Sequence, residues 1–470
     1  MIVIGGGITG LATIEQLTRT NPELRITLLE AGERFGGYIR TERVNGLTVE
    51  VGPEVLLSMK PAAIELARRV GLGERIVGTS IRGSYVLTKR GLVRLPEGLT
   101  GLVPSRIDTF VASPLLSPLG KLRALGEIFL RPPREDADES LEHFFVRRFG
   151  REMYERLAEP LLAGISGGDG AKLSLKAMFP QLHVIERHGG FVRSMLDNAV
   201  VSADQADLFK EERKPFVSFP GGLGELVDGV LAEIHRRDPA ASRVAMRTSA
   251  PVRAVARDAD GIFAVTLDSG EMLRADAVII TTPAYSAAAL VNDIDAVLSS
   301  RLSAIEYNST ATVSLAYALS AVGRPLDATG YVVQRALGRP VVACTWVSAK
   351  FAGRAPENRA LFRLFLGDSV ASSPGAKLLD LAKAEMREVM RVTADPVFKR
   401  VDRFKRAMPQ YHVGHLDRVL EIDKRVKAIP FLYLAGAAYR GVGVPDCVKS
   451  AEHAATAAAR DLMKRARVEA

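Results

Sequence analysis

The sequence predicts an α/β fold that opens on a β-α-β unit and returns to strand and helix patterns late in the chain. Three observations predict it. The chain opens with a strand, a glycine turn, a helix, a second strand and an acid, from Met1 to Glu30. A buried parallel strand ending at a turn, DAVIITTP, follows at Asp276 to Pro283. From Pro430 the chain closes with another strand, a glycine turn and a long alanine-rich helix.

The opening unit carries the most chemistry. MIVIGGGITG places G-x-G-x-x-G at Gly5, Gly7 and Gly10 straight after an apolar strand, with Gly6, Ile8 and Thr9 between them. A helix is predicted over Leu11 to Arg19, and the next strand, Arg25 to Leu29, ends on Glu30. In this pattern Gly5 permits the turn, and Gly7 lets a pyrophosphate approach the backbone. Gly10 lets the helix pack close to the sheet, and Glu30 can accept both ribose hydroxyls. The phosphates sit at the positive helix N-terminus. Glu30 opposes a 2′-phosphate, because two anions would be forced together. A glycine-rich β-α turn with no ligand is the bland alternative.

The following elements read in order. A helix is predicted from Pro61 to Val70, and a hairpin from Ser84 to Leu95 turning near Lys89-Arg90-Gly91. Pro96 to Lys214 is mostly helical by period, broken at Ser113-Pro114, Ser117-Pro118 and Arg131-Pro132-Pro133. Its leucine stripe, Leu115, Leu116, Leu119, Leu122, Leu125, Phe129 and Leu130, lies among Lys121, Arg123 and Arg131. Such a stripe reads as core, with membrane contact the sharper alternative. Strands are predicted at Phe216 to Pro220, Val252 to Val255, Phe263 to Leu267 and Ala277 to Thr281. Strand and helix patterns then alternate from Thr310 to about Asp402.

Composition narrows the class. With 470 residues, 47% hydrophobic and 25% charged, the chain has the make-up of a globular enzyme of two or three domains. No stretch approaches ~18 consecutive apolar residues, so no membrane-spanning helix is expected. No signal-peptide pattern opens the chain, and a cytoplasmic location is expected. The first strand is short, and residues upstream of Met1 would complete it. Cys344 and Cys447 are the only cysteines, which gives no metal spacing and no disulfide framework. The 63 basic and 54 acidic residues leave +9. That charge fits a solvated surface, an acidic substrate or an anionic membrane. No zinc finger or RNA-binding signature is present, so nucleic acid is not an expected partner.

The residues after Glu30 choose the dinucleotide. Ala31 begins EAGERFGGY, with Arg34 ahead of Gly36, Gly37 and Tyr38, and a further turn lies at Gly52-Pro53-Glu54-Val55. E-A-x-x-R-x-G-G after the fingerprint resembles the flavin-containing amine oxidase superfamily, which binds FAD. The resemblance implies that the second glycine pair passes close to the diphosphate and that Arg34 helps neutralise it. It also implies cofactor contacts from Val252 and from Gly441-Val442-Gly443-Val444. That last turn feeds a helix with Pro445 near its start. A helix N-terminus aimed at a flavin would stabilise negative charge on its reduced form. A packed helix cap is the alternative. A covalent flavin link at Cys447 is open in principle.

Five further pieces sharpen the family: EPLLAGISGGD (Glu159 to Asp169), KLSLKAMFPQ, FPGGLGELVD, ACTW (Ala343 to Trp346) and MPQYHVGH (Met408 to His415). With GVGVPDC they resemble the protoporphyrinogen oxidase family over nearly the whole chain, and most closely its Gram-positive coproporphyrinogen III oxidase branch. The fold implied is a discontinuous Rossmann-like FAD-binding domain (1–72, 215–285 and 405–470), a substrate-binding α+β domain (73–94 and 286–404) and a helical insertion walling the cavity (95–214). The activity implied is oxygen-dependent oxidation of a porphyrinogen, coproporphyrinogen III or protoporphyrinogen IX, on FAD and with no metal. Product transfer to a ferrochelatase and peripheral contact with the inner membrane face are implied partners; the oligomeric state stays open. Gly164 and Ile165 are implied in the substrate site. Where the mitochondrial branch has a carboxylate-binding arginine, this chain has Thr100, so Lys60 is the candidate replacement cation. A solvated lysine at a helix start is its alternative. Phe404 stands where the family usually has tryptophan. His412 and His415 read as structural hydrogen-bonding groups. An amine oxidase of the same superfamily and a non-catalytic dinucleotide-fold escort protein are the competing functions.

Overall fold

The computed structural model describes residues 1–100, 102–104, 106–133, 136–193 and 214–469. Its centre is a five-stranded parallel sheet in the order Val244–Arg247, Ile26–Leu29, Ile2–Ile4, Val278–Ile280, Leu432–Leu434. Strands from the start, the middle and the end of the chain therefore sit side by side. Because successive side chains point to opposite faces, a strand covered on both faces reads as continuously apolar. Val3, Leu28 and Ile279 face helices Ile8–Thr20, Gly224–Arg237 and Val444–Glu469. Ile2, Ile4, Val278 and Ile280 face the opposite cluster with strands Val252–Arg257 and Phe263–Leu267 and helices Ala284–Val291 and Ala296–Ser303. Ala451, Ala454, Ala455, Ala458 and Ala459 are all buried in the closing helix, and small side chains let it lie close to its neighbours.

The second layer is a seven-stranded sheet, Phe398–Pro409, Tyr307–Ala318, Arg359–Leu366, Val341–Trp346, Gly330–Val333, Tyr85–Thr88, Gly91–Arg94. It joins the early hairpin to strands more than two hundred residues later through one parallel pairing, Tyr85–Leu87 with Tyr331–Val333. Helix Gly375–Val389 covers one face, and the helical insertion packs on the other through Val86 and Val332. The expected boundary at 404/405 falls inside strand Phe398–Pro409. Helices Ala284–Val291 and Ala296–Ser303, expected mostly in the substrate domain, pack on the parallel sheet instead.

The insertion is helical over Ile107–Ala112, Pro118–Leu125, Leu141–Phe149, Glu159–Ser166 and Pro180–Arg187, among shorter pieces. The serine-proline breaks act as predicted: Ser117 caps the second of these helices, its Oγ accepting from the Gly120 amide, with Pro118 at the first helical position. The leucine stripe divides. Leu115 and Leu116 are buried, whereas Leu119 (78% exposed), Leu122 and Phe129 (86%) face outward, which corrects a wholly core reading. The part of the insertion from 194 to 213 lies outside the described residues.

Candidate cofactor and substrate site

The fingerprint glycines build a cradle in which side chains have no room. Gly5 has φ of 108°, and a Cβ on Gly10 would lie 1.9 Å from the Gly5 carbonyl oxygen. Thr281, from the apolar strand, donates to the Ile4 and Gly5 carbonyls at 3.0 and 2.8 Å and fixes this turn. The second glycine pair docks on the first. The Gly36 amide donates to the Gly6 carbonyl at 2.8 Å, and a Cβ on Gly37 would be 3.0 Å from the Gly7 Cα. Helix Ile8–Thr20 starts at Gly7 with no side-chain cap, so its first amides are left for another acceptor. A Cβ on Gly7 would meet nothing nearer than 3.9 Å. An open space before an uncapped helix start fits a pyrophosphate, and these residues fit FAD.

Glu30 sits where the sequence puts it, at the end of the second strand. Its carboxylate accepts from the Gly6 amide at 2.6 Å and the Gly32 amide at 2.7 Å. It orders the turn that follows Ala31. The Ala250 and Ser249 amides donate to the Glu30 and Gly32 carbonyls, which brings Val252 to the same end of the sheet. Losing a charge-assisted bond to the ribose in Glu30→Ala should weaken FAD binding by about 1.5–3 kcal/mol, measured by titrating apoprotein with FAD. An unchanged affinity would remove Glu30 from the site.

The Arg34 guanidinium donates to the carbonyls of Phe35 (2.9 Å), Ile39 (3.1 Å) and Gly37, and so staples its own loop. Burial, with Arg40 nearby, lowers its pKa. The loop Gly52-Pro53-Glu54-Val55 is held from below. A Cβ on Gly52 would lie 1.6 Å from the Tyr38 carbonyl oxygen. Buried Arg363 donates to the Gly52 and Val51 carbonyls at 2.6 and 2.7 Å. Buried Glu54 accepts from Lys350 at 2.6 Å. Burial, the largest single influence, would raise that carboxyl, but Lys350, Arg363 and Arg354 together hold it below the usual range. Arg363 and Lys350 are functional residues that the sequence did not point to. The only signal was an arginine inside the apolar run RALFRLFL.

The closing turn is locked by Tyr411. Its hydroxyl donates to the Ala437 carbonyl at 2.5 Å and accepts from the Gly441 amide at 2.8 Å. Its ring stacks on His415 at 3.9 Å. The His415 imidazole bonds the Tyr439 carbonyl at 2.9 Å, and burial pushes its pKa down to about 4. It is therefore neutral and structural. His412 lies 3.5 Å from Glu306 and pairs backbone with Leu173. Gly441, at φ 139°, leads through Val442 and Gly443 to the helix start at Val444. Burial raises the Cys447 thiol to about 12, so it offers no thiolate for a flavin link.

Lys60 is not a free cation. Its ammonium lies 2.7 and 2.9 Å from the two Asp446 oxygens, in the first turn of the closing helix. Gly164 and Ile165 lie on helix Glu159–Ser166, where a Cβ on Gly164 would approach Val332 to 3.1 Å and Ile165 is half exposed. Thr100 lies on a two-residue strand paired with Val103. An aromatic group stands over the cofactor loop: Tyr38 meets Phe404 edge-on at 6.0 Å, and Tyr285 meets Tyr307 at 5.1 Å.

A parallel sheet with an uncapped glycine turn at the strand ends, facing an aromatic-rimmed second domain, is the architecture of a flavin-dependent oxidoreductase. The sequence pattern of flavin containing amine oxidoreductases matches residues 8–459, and the chain belongs to that family. It is 32% identical to the coproporphyrinogen III oxidase of Bacillus subtilis, covering 95% of each chain. It is 29% identical to the chloroplastic protoporphyrinogen oxidase 1 of Spinacia oleracea, covering 97% of this chain and 83% of that one. A provisionally assigned protoporphyrinogen oxidase from Exiguobacterium sp. superposes with a TM-score of 0.84 at 30% identity over 98% of both chains.

Proposed function

We propose that the protein is an FAD-dependent, oxygen-using porphyrinogen oxidase that converts coproporphyrinogen III to coproporphyrin III, with protoporphyrinogen IX as a second substrate. The observation that carries this reading is end-to-end similarity to coproporphyrinogen III oxidases in a chain whose glycine cradle is intact. When bound, FAD supplies two-electron oxidation, used three times per macrocycle with three hydrogen peroxide formed from oxygen. The chain's own residues hold and orient. The turn Gly5 to Gly10 and Glu30 take the dinucleotide, with the stapled loop from Arg34 to Tyr38 behind it. The Gly52 to Val55 and Gly441 to Val444 turns frame the flavin end. Gly164 and Ile165 line the macrocycle's cavity beside Thr100, and Lys60 acts on that cavity through Asp446. The insertion would shelter the macrocycle from water while it is held for oxidation. The test is porphyrin fluorescence developing from each porphyrinogen under air, against a no-enzyme control. Oxidation of a simple amine with no porphyrin formed would favour the amine-oxidase alternative. Protein that never binds flavin would favour the escort protein.

We further propose a cytoplasmic enzyme that touches the membrane peripherally and passes product to a ferrochelatase. Among the described residues no helix is long and apolar enough to cross a membrane. Leu119, Leu122 and Phe129 project outward from a segment that also carries Lys121 and Arg123. Leu119→Ser with Phe129→Ser should abolish sedimentation with anionic liposomes at low salt and leave turnover in solution intact. Wild-type protein that ignores such liposomes would end the membrane proposal.

A further inference from the structure

Strand Phe398–Pro409 pairs with Tyr307–Ala318, but their register breaks between Asn308 and Thr310, opposite Met408 and Phe404. Inside this bulge Arg406 has φ of 47°, a conformation that L side chains seldom adopt. Bulges re-aim side chains, and they gather beside active sites. The Arg406 amide donates to the Ser309 hydroxyl at 3.1 Å, which pins the turn. The guanidinium carbon lies 4.0 Å from the centre of the Tyr285 ring. Among the described residues no carboxylate pairs with it, whereas Arg400, earlier on the same strand, is held by Glu42 and Asp402.

Its position matters as much as its freedom. Phe404, two residues earlier, meets Tyr38, and Tyr38 follows the Gly37 that lies against Gly7. Arg406 therefore belongs to the aromatic rim, stacked on Tyr285 beside Tyr307 and two residues from the Phe404 that meets Tyr38. Lys60, the other cation expected there, is committed to Asp446. A guanidinium laid on a ring keeps its edge N–H groups free, and that edge matches a carboxylate in a bidentate pair.

We propose that Arg406 is a specificity-determining residue that binds a propionate carboxylate of the substrate, with Tyr285 supporting it. This rests on the porphyrinogen-oxidase reading. A substrate with four propionates always offers it a partner. A substrate with two offers fewer productive orientations.

The test compares flavin-loaded wild type, Arg406→Ala, Arg406→Lys and the exposed charge-matched control Lys405→Ala. Arg406→Ala should raise KM for coproporphyrinogen III about two- to fivefold, the scale of one cation–carboxylate contact at a wet rim. The rise should be smaller for protoporphyrinogen IX and should shrink with salt. The kcat, flavin content and melting temperature should stay at wild-type values. Arg406→Lys should recover part of the loss, and Lys405→Ala should show none. Coproporphyrin III binding, followed by fluorescence, should weaken in parallel. Equal KM changes in Arg406→Ala and Lys405→Ala, or lost flavin in place of raised KM, would overturn the assignment. Wild-type turnover with an unaffected Arg406→Ala would sink this proposal alone. Wild-type protein that neither binds coproporphyrin III nor oxidises either porphyrinogen would sink the functional reading and this one with it.

Discussion

Gly10→Val is expected to give a folded but colourless protein that FAD cannot reconstitute. A Cβ at position 10 would already lie 1.9 Å from the Gly5 carbonyl oxygen and 3.2 Å from Thr281 Oγ1. Neither neighbour can yield cheaply. The Gly5 carbonyl is held by the same Thr281 hydroxyl, and the Gly5 amide is bonded to the Leu29 carbonyl at 2.8 Å. Relief must come from the helix start moving away from the sheet. Overpacking of this kind costs about 3 kcal/mol or more once two further methyls are added. The atoms that move are the first-turn amides that would meet the pyrophosphate. At about 1.4 kcal/mol per tenfold, the loss in FAD affinity should exceed a hundredfold. Flavin absorbance of the purified protein and a far-ultraviolet spectrum separate the two effects. Full flavin content in Gly10→Val would remove the turn from the cofactor site.

This cradle was legible in the sequence because each of its steps leaves a local mark. The turn needs glycine, the strand ends in an acid, and Thr281 follows an unbroken apolar run. The parallel strand Val278–Ile280 and the closing helix were legible for the same reason: burial on all sides writes itself as an uninterrupted apolar or alanine-rich stretch. The partners of charged residues were not. Lys60 and Asp446 are 386 residues apart, and nothing near either names the other. Lysine at a helix start looks the same whether it is solvated, paired or waiting for a substrate. Arg34 illustrates a subtler limit. The pattern R-x-G-G located the loop, but the direction of the guanidinium depends on which carbonyls the folded loop turns inward. The leucine stripe failed differently. Helical spacing marks one face, but it cannot tell where a short helix ends and the face rotates, so Leu116 is buried while Leu119 is exposed. The bulge at Arg406 interrupts strand alternation without ending the strand, so alternation alone does not show how far that strand runs.

Arg354→Met should be the most destabilising single change outside the cradle, and its cost should depend on pH. Arg354 and Glu50 are both buried and lie 3.1 Å apart. The guanidinium also donates to Ser218 Oγ and the Phe219 carbonyl, each at 3.0 Å. It thus ties the strand before the Gly52 turn to the segment that returns at Phe216–Ser218, so two pieces of the cofactor domain share one buried cation. Removing one member of such a pair leaves the other charge unpaired, at about 3–5 kcal/mol. Glu50 shows how the cost will vary. Burial raises its pKa, against the Thr41 hydrogen bond and the Arg354 charge that pull it down. Without Arg354 the folded-state pKa should rise further. A carboxyl whose folded pKa lies above its unfolded value binds more protons when folded, so stability rises as pH falls through the folded pKa. The deficit of Arg354→Met against wild type should therefore be largest at neutral and alkaline pH and shrink as pH falls toward the unfolded carboxylate range. Adding Glu50→Gln should recover much of the loss at neutral pH and flatten the dependence, since an amide carries no charge to strand. Urea unfolding of flavin-loaded wild type, Arg354→Met and the double variant across pH decides it. A deficit that is the same at every pH, or a double variant no better than the single one, would show that Arg354 contributes through packing and its bonds to Ser218 and Phe219, and that the Glu50 charge carries no cost.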